Sequence, residues 1–326
     1  MKAWRVHAYG DPAQVMRLDD VPEPRPAAGQ VLLRMRAAAV DFADSLLCRG
    51  LYQERPERPF VPGMEMCAEV VEAGTGTGLQ SGERVIAHAL PVHSYAELAC
   101  VDARSVRSAP ENLDDAEAAA FHFSYQTSWF ALHRRAALRA GETLLVHAAA
   151  GGVGSAAVQL GKAAGARVIG VVGGPKKVET ALGLGCDVVI DRTSQDVIAA
   201  VKAATAGRGA DVVYDPVGGP AYHQSSKVVA FEGRIVVVGF ASGEVPTPAL
   251  GHLLVKNYSV LGLYWGQYER REPTAVDHGH AELSRLAREG VIRPLVSERL
   301  PFTQAADAVQ RVAEGRTTGR VVVMPD

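Results

Sequence analysis

The run His147-Ala148-Ala149-Ala150-Gly151-Gly152-Val153-Gly154 has the residue types and spacing of a phosphate cradle. The apolar segment Thr143 to Val146 before it predicts a buried strand, and Ser155 to Ala164 after it predicts a helix. Glycines at a strand-to-helix turn let the backbone come close to a pyrophosphate. The helix start adds unpaired N–H groups and the positive end of the helix dipole. The G-x-G-x-x-G spacing is met by Ala149, Gly151 and Gly154, with alanine in the first glycine place. Ala150, Gly151, Gly152, Val153 and Gly154 are therefore the expected backbone contacts to a dinucleotide.

A second constellation sets the type of dinucleotide. An NAD site places an acidic side chain about 20 residues past the glycine turn, to take the ribose hydroxyls. Here no Asp or Glu stands between Gly154 and Glu179, and the corresponding stretch is Val172-Gly173-Gly174-Pro175-Lys176-Lys177. The chain has only seven lysines against 27 arginines, so an adjacent pair is compositionally unusual. Ammonium groups at this point suit a 2′-phosphate, which predicts NADPH with Gly173 and Lys177 among its contacts. A solvated helix start is the plainer alternative.

The elements that must hold these groups follow from the pattern. Apolar strands are expected at Arg167–Val172, Cys186–Asp191, Ala210–Asp215, Gly233–Gly239 and Tyr258–Trp265, with helices at Lys177–Leu184 and Ser194–Ala204. Alternating strands and helices predict an α/β domain with a doubly wound parallel sheet covered on both faces. Up to about Asn112 the texture differs, with many Pro and Gly and short strand candidates at Gln30–Ala38, Met66–Val71, Arg84–Ala87 and Ala96–Val101. That predicts a mostly β domain. Asp114–Leu138 and His280–Glu289 read as helical, and Arg320–Met324 as a final strand. A dinucleotide domain in the middle of the chain implies that the end returns to the first domain, with the active site expected between the two.

Length and composition bound the rest. At 326 residues there is room for two domains, and a net charge of −2 gives no footprint for nucleic acid or anionic membranes. No apolar run approaches the ~18 residues of a membrane span. The start Met1–Val6 reads as a strand and not a signal peptide. Cys48, Cys67, Cys100 and Cys186 show no paired short spacing, which predicts reduced thiols in a cytoplasmic protein. No G-x-S-x-G elbow occurs, so a hydrolase is not supported. His88, His93 and His122 are each candidates for substrate contact, although isolated histidines are more often structural.

Several segments carry a resemblance. Asp41-Phe42-Ala43-Asp44, Gly50-Leu51-Tyr52, Pro59 to Glu65, Ala149 to Gly154 with Gln159, Asp215-Pro216-Val217-Gly218-Gly219, and Lys256 to Val260 before Gly262 are all similar to one family. The chain resembles the zinc-free quinone oxidoreductase (zeta-crystallin-like) branch of the medium-chain dehydrogenase/reductase superfamily, nearly end to end. The resemblance implies a GroES-like β domain plus a Rossmann domain, with residues 1–122 and 268–326 in the first and 123–267 in the second. It also implies a cytoplasmic homodimer using NADPH on a quinone or another activated alkene. The apolar sixth strand would be a sheet edge that a second copy could cover.

By the same resemblance, Tyr52 matches a cleft tyrosine able to hydrogen-bond a substrate carbonyl, and Thr127 a residue near the nicotinamide. Phe240 and Ser242 follow the fifth strand at the nicotinamide end, and Arg320 matches a basic residue near the cofactor. The plainer readings are a packed aromatic for Tyr52, a helix-lining hydroxyl for Thr127, loop packing for Phe240 and an exposed charge for Arg320. Zinc-dependent relatives have an early Cys and a Gly-His-Glu motif; here Met64 takes the histidine place in Gly63-Met64-Glu65, so no metal is expected. Two positions depart from the branch: Asp41 stands where Asn is usual, and Arg192 where Tyr is frequent. Arg192 is expected to join Lys177 on the 2′-phosphate. An NADPH-dependent quinone reductase is the leading expectation. The rivals are a reductase of enones, 2-alkenals or enoyl thioesters, and a non-catalytic NADPH-binding protein.

Overall fold

The computed structural model describes residues 1–88 and 93–326. The chain divides into two units, Met1–Phe123 with Arg293–Asp326, and Ser124–Ile292. The first opens with the antiparallel pair β1 (Lys2–Val6) and β2 (Met16–Asp20), followed by β3 (Gln30–Val40), β4 (Glu65–Ala73), β5 (Arg84–His88), β6 (Leu98–Asp102) and β7 (Val106–Ser108). The second carries β8 (Thr143–His147), β9 (Arg167–Val172), β10 (Val188–Asp191), β11 (Ala210–Asp215), β12 (Val229–Val237) and β13 (Ser259–Gly262). The chain then returns to the first unit with β14 (Val296–Pro301) and β15 (Arg320–Met324).

In the first unit β3 is the spine. Arg34 and Arg36 are exposed between buried Leu33, Met35 and Ala37, the period of a half-covered strand; from Ala37 to Val40 every residue is buried. β3 pairs antiparallel with β6 over its first half, with β4 along most of its length and with β15 at its end. The registers Val321↔Val40 and Ala38↔Met66 bring the start of β15, the end of β3 and the start of β4 to one end of the sheet. Arg320, Asp41 and Glu65 occupy those three strand ends.

Among the described residues of the second unit, six parallel strands run in the order β10-β9-β8-β11-β12-β13. The order reverses between β8 and β11, so their carboxyl ends form the switch point at which doubly wound sheets take ligands. β8 is buried throughout and β9 after its first residue, because helices cover both faces. One core cluster joins Leu145, Ile169, Ile190, Val213 and Ile235 of the strands to Val197, Val201 and Tyr222 of the covering helices. No helix of the described residues is long and apolar enough to cross a membrane.

Several boundaries differ from the sequence reading. The helix Pro273–Arg288 lies in the second unit, whereas residues 268–292 were expected in the first. Its backbone explains this: the Gln126 side-chain amide donates to the Val276 carbonyl at 2.9 Å, and a Cβ at Gly279 would lie 2.8 Å from Gln126 Oε1. An amphipathic pattern says that a helix covers something, not what it covers. The stretch Asp114–Leu138 breaks into the helices Asp115–Ala119 and His122–Trp129 and a π-helical turn Phe130–Arg135. The expected strand Tyr258–Trp265 keeps its ladder only over Ser259–Gly262, while β12 starts earlier than expected, at Val229. The helices Phe42–Cys48 and Ala305–Ala313 were not anticipated.

Gly319, just before β15, has φ +58°, and a Cβ there would lie 2.4 Å from the Leu295 carbonyl oxygen. Gly315 has φ +67° with open space around it. Gly319→Ala should therefore cost about 2–3 kcal/mol in urea unfolding, and Gly315→Ala only about 1 kcal/mol. Equal losses would mean that backbone conformation alone, and not the approach of Leu295, makes glycine necessary.

Candidate active site

In the second unit the fingerprint turn closes tightly. Ala148 takes φ 51°, the Gly151 N–H donates to the Ala148 carbonyl at 2.8 Å, and the helix Gly152–Ala163 begins at once. A Cβ at Gly154 would sit 2.1 Å from the Ala148 oxygen, so only glycine lets the helix start this close to the strand end. At Ala149 a methyl is accommodated: it packs where a Cβ on Gly170 would come within 2.9 Å. The first-turn N–H groups of Gly152, Val153 and Gly154 precede the helical ladder and are free by geometry to take an anion. Thr127 is buried, with Oγ1 lacking a hydrogen-bond partner among the described residues. The hydroxyl of its neighbour Ser128 donates to the Val153 carbonyl at 3.0 Å, which fixes the helix His122–Trp129 beside the turn.

The ends of β9 and β10 meet at Gly173. A Cβ there would lie 3.1 Å from Arg192 Nη2, so the guanidinium rests on this glycine. The Arg192 N–H donates to the Val172 carbonyl at 3.0 Å. Burial, and then the Arg192 charge, depress the pKa of the Lys177 ammonium. Two cations thus share the end of these strands. Asp191 is engaged in the turn itself: its Oδ1 accepts from the N–H groups of Gly174 and Thr193, both at 2.9 Å, and from Thr193 Oγ1 at 2.7 Å. Those bonds, the Gly174 one foremost, hold its carboxyl below the usual range. Beyond β11, buried Asp215 accepts from the Val217 and Gly218 N–H groups at 2.9 Å each. The loop after β12 lies on that turn, Ser242 N–H donating to the Val217 carbonyl at 3.0 Å and Phe240 packing where a Gly218 Cβ would come within 2.8 Å. Ala150, Gly151, Gly152, Val153, Gly154, Gly173, Lys177, Arg192, Phe240 and Ser242 thus all lie at carboxyl ends of the parallel strands.

The first unit holds the remaining candidates. Arg320 is 4% exposed, so it is not a surface charge. Its Nη1 donates to Asp41 Oδ1 at 2.7 Å and its Nη2 to Glu65 Oε1 at 2.5 Å. Burial opposes the guanidinium charge, and Asp41 and Glu65 more than offset it. Glu65 Oε2 accepts from the Phe123 N–H at 2.8 Å. Asp44 Oδ2 accepts from the Asp41 N–H at 2.9 Å and from the Tyr95 hydroxyl at 2.6 Å. Tyr52 is 9% exposed and follows the helix Phe42–Cys48, its N–H donating to the Leu46 carbonyl at 3.3 Å. Met64 is fully buried. Of the three histidines, His88 and His122 are buried with ring centroids 5.5 Å apart, His88 stacking on Phe123 at 5.3 Å. His93 Nδ1 lies 3.3 Å from the Val61 carbonyl oxygen, and burial lowers the ring's pKa.

Residues 27–121 match the alcohol dehydrogenase GroES-like domain, and residues 152–280 match the family described as zinc-binding dehydrogenase. A quinone oxidoreductase of Pseudomonas aeruginosa is 35% identical over 324 residues, 98% of each chain. The chain belongs to the medium-chain dehydrogenase/reductase superfamily. A 2-haloacrylate reductase of a Burkholderia species is 31% identical over 98% of each chain. The solved quinone oxidoreductase of Escherichia coli, complexed with NADPH, is 28% identical with a TM-score of 0.92, each chain covered completely. The two-part architecture of this medium-chain dehydrogenase/reductase, a GroES-like unit and a Rossmann-type parallel sheet, is the one the sequence predicted.

Sequence reasoning singled out Asp41 and Arg320 but did not pair them, and it passed over Asp44, Glu65 and Tyr95 as functional groups. The signals were present. Two aspartates three apart before an apolar helix form a capping pattern, and a lone glutamate opens the apolar run Glu65-Met66-Cys67-Ala68. A charge in such a place demands a partner, which the far end of the chain supplies.

Arg320→Met should lower stability by about 3–5 kcal/mol, since it leaves carboxylates buried without their cation. Adding Glu65→Gln to that variant should restore part of the loss in chemical denaturation. Additive losses would show that Arg320 and Glu65 do not interact energetically.

Proposed function

We propose that this medium-chain dehydrogenase/reductase is an NADPH-dependent enzyme that reduces a quinone by direct hydride transfer, without zinc. The observation that carries the cofactor reading is the pair Lys177 and Arg192 at Gly173, next to the glycine turn. The relatives named quinone oxidoreductase, one of them solved with NADPH, support the substrate class. The thioether of Met64, in the place where zinc-dependent relatives put an imidazole, supports the zinc-free reading.

NADPH, when bound, supplies the hydride and its electron pair. The N–H groups of Gly152, Val153 and Gly154 would hold the pyrophosphate, the Gly151 N–H being committed to the Ala148 carbonyl, and Lys177 and Arg192 would hold the 2′-phosphate, Arg192 through a planar fork of donors. Thr127, Phe240 and Ser242 would border the nicotinamide end. Tyr52 donates its hydroxyl proton in a hydrogen bond to the substrate carbonyl, where negative charge grows as the quinone is reduced. Asp41 acts with Arg320 in positioning the turn that leads to Tyr52. The proton that completes the hydroquinone comes from solvent, because a phenolate oxygen needs no strong acid. A second reading, reduction of an activated carbon–carbon double bond, is favoured by the 2-haloacrylate reductase relative.

The test is NADPH oxidation by the purified chain, run in parallel with an ortho-quinone and an α,β-unsaturated ketone. Quinone turnover should dominate; faster saturation of the ketone would move the protein to the double-bond reductases. Lys177→Ala and Arg192→Ala should each raise the KM for NADPH by about 10–100-fold, the scale of one charged hydrogen bond, with a far smaller effect on NADH. Equal effects on both cofactors would remove the 2′-phosphate assignment.

The free thiols, three of them buried, fit a reducing compartment such as the cytoplasm. A homodimer belongs to the same proposal. β13 is the last strand of its sheet, and Phe231, Leu250, Leu254 and Val255 are 70–78% exposed on the neighbouring elements. A second copy pairing along β13 would cover such apolar surface. Replacing Leu254 and Val255 by Lys should convert a dimer to a monomer in sedimentation velocity; an unchanged dimer would place the interface elsewhere.

A further inference from the structure

The ion cluster of the first unit holds more negative than positive groups. Asp41, Asp44, Glu65, Arg320 and Tyr95 are all at most 4% exposed. Fully ionised, three carboxylates would face one guanidinium. The other titratable groups packed here add no cation: burial raises the Tyr95 hydroxyl and pushes the Cys48 thiol up to about 12, so both are neutral. Arg49, beyond Cys48 on the same helix, is engaged by Asp11 at 2.9 Å.

The oxygen atoms tell the same story. Asp41 Oδ1 and both oxygens of Glu65 have donors, and Asp44 Oδ2 has two. Asp41 Oδ2 and Asp44 Oδ1 are buried with no hydrogen-bond partner among the described residues. They belong to residues three apart on one capping turn. A buried carboxylate oxygen without a donor is costly, and two like charges on one turn compound the cost.

We propose that this cluster is a proton-binding site: folding lets Asp44 take a proton from solvent hydronium, releasing water, and loss of that proton loosens the turn that seats Tyr52. The neutral Asp44 carboxyl removes one of the negative charges that would otherwise crowd the single guanidinium of Arg320. Deprotonation sets the Asp44 carboxylate against the Asp41 carboxylate on the one capping turn that starts the helix Phe42–Cys48. The far end of that helix holds the following turn, since Leu51 and Tyr52 both donate to the Leu46 carbonyl. The inference does not depend on the cofactor or the substrate.

The pKa directions agree with the geometry. Burial, and next the Asp41 charge, raise Asp44 to about 7; burial raises Glu65 to about 8 against the pull of Arg320. Both are raised, so between the unfolded value near 4 and these values the folded chain holds protons that the unfolded chain has lost. The stabilisation is complete below the unfolded values, falls as pH rises from there to the folded values of about 7 and about 8, and is gone above.

The test compares thermal unfolding of the full chain and of Asp44→Asn from about pH 5 to about pH 9. The variant should gain on the wild type by a few degrees as pH rises, since the amide imitates the neutral carboxyl and common titrations cancel. Parallel curves would overturn the proposal. Should the variant not fold, the wild type alone decides by infrared spectroscopy in deuterated buffer. A neutral-carboxyl C=O band should persist at neutral pD and vanish above about pD 8; its absence at neutral pD would overturn the proposal.

Discussion

The first unit depends on one buried guanidinium. Arg320 is contributed by the last strand and bonds to Asp41 and Glu65, 279 and 255 positions earlier in the chain. Desolvating these charges is expensive, and ion pairs of this kind add little net stability over apolar packing. Their consequence is positional. Once β15 lies against the end of β3, the guanidinium must find both carboxylates or remain buried alone, and no shifted register offers them. The cluster therefore fixes where β15, β3 and β4 end, and with them the turn that leads to the helix Phe42–Cys48 and Tyr52.

In the second unit the corresponding constraint is steric. The helix after β8 starts within van der Waals distance of the strand's last turn, and this is possible only because Gly154 lacks a side chain. The alanine at the first fingerprint position shows which part of the motif is negotiable. Ala149 turns its methyl toward Gly170 of the next strand, so one glycine has in effect been moved across the sheet. A motif read as letters records a defect here; read as contacts it records an exchange.

Much of this was legible in the chain and some was not, for definable reasons. β8, β9 and β11 were read to within a residue because parallel strands covered on both faces are continuous apolar runs bounded by glycine or charge. The fingerprint stood out by spacing, Lys177 by the rarity of lysine in the chain, and Arg192 as a departure from the family resemblance. Four-residue β13 was overextended because Leu263 and Trp265 remain buried after the ladder ends, and apolarity alone cannot separate the two cases. The helix Pro273–Arg288 was expected in the other unit because its buried face, Val276, Leu283 and Ala287, shows that it covers something and not that it lies on Gln126. The pairing of Arg320 with Asp41 was invisible for a different reason: it depends on an antiparallel register between distant strands, which no local pattern encodes. What the sequence did offer was the anomaly itself, acidic residues inside apolar surroundings.

Placing Lys177 and Arg192 together also bears on how one dinucleotide would be told from another. Each raises the cost of the other's charge, and burial adds to it for Lys177. Asp191 acts on the Arg192 charge from within its own turn, where its Oδ1 accepts three hydrogen bonds. The chain thus sets Lys177 and Arg192 together where β9 and β10 end, and at the end of β9 it shows only Gly173 and Gly174. No acidic residue stands between Gly154 and Glu179 to bind a ribose diol. In the proposed reading, discrimination therefore works by attraction: a ligand bringing two negative charges is drawn to the paired cations, while one lacking them still finds the backbone cradle but not that attraction.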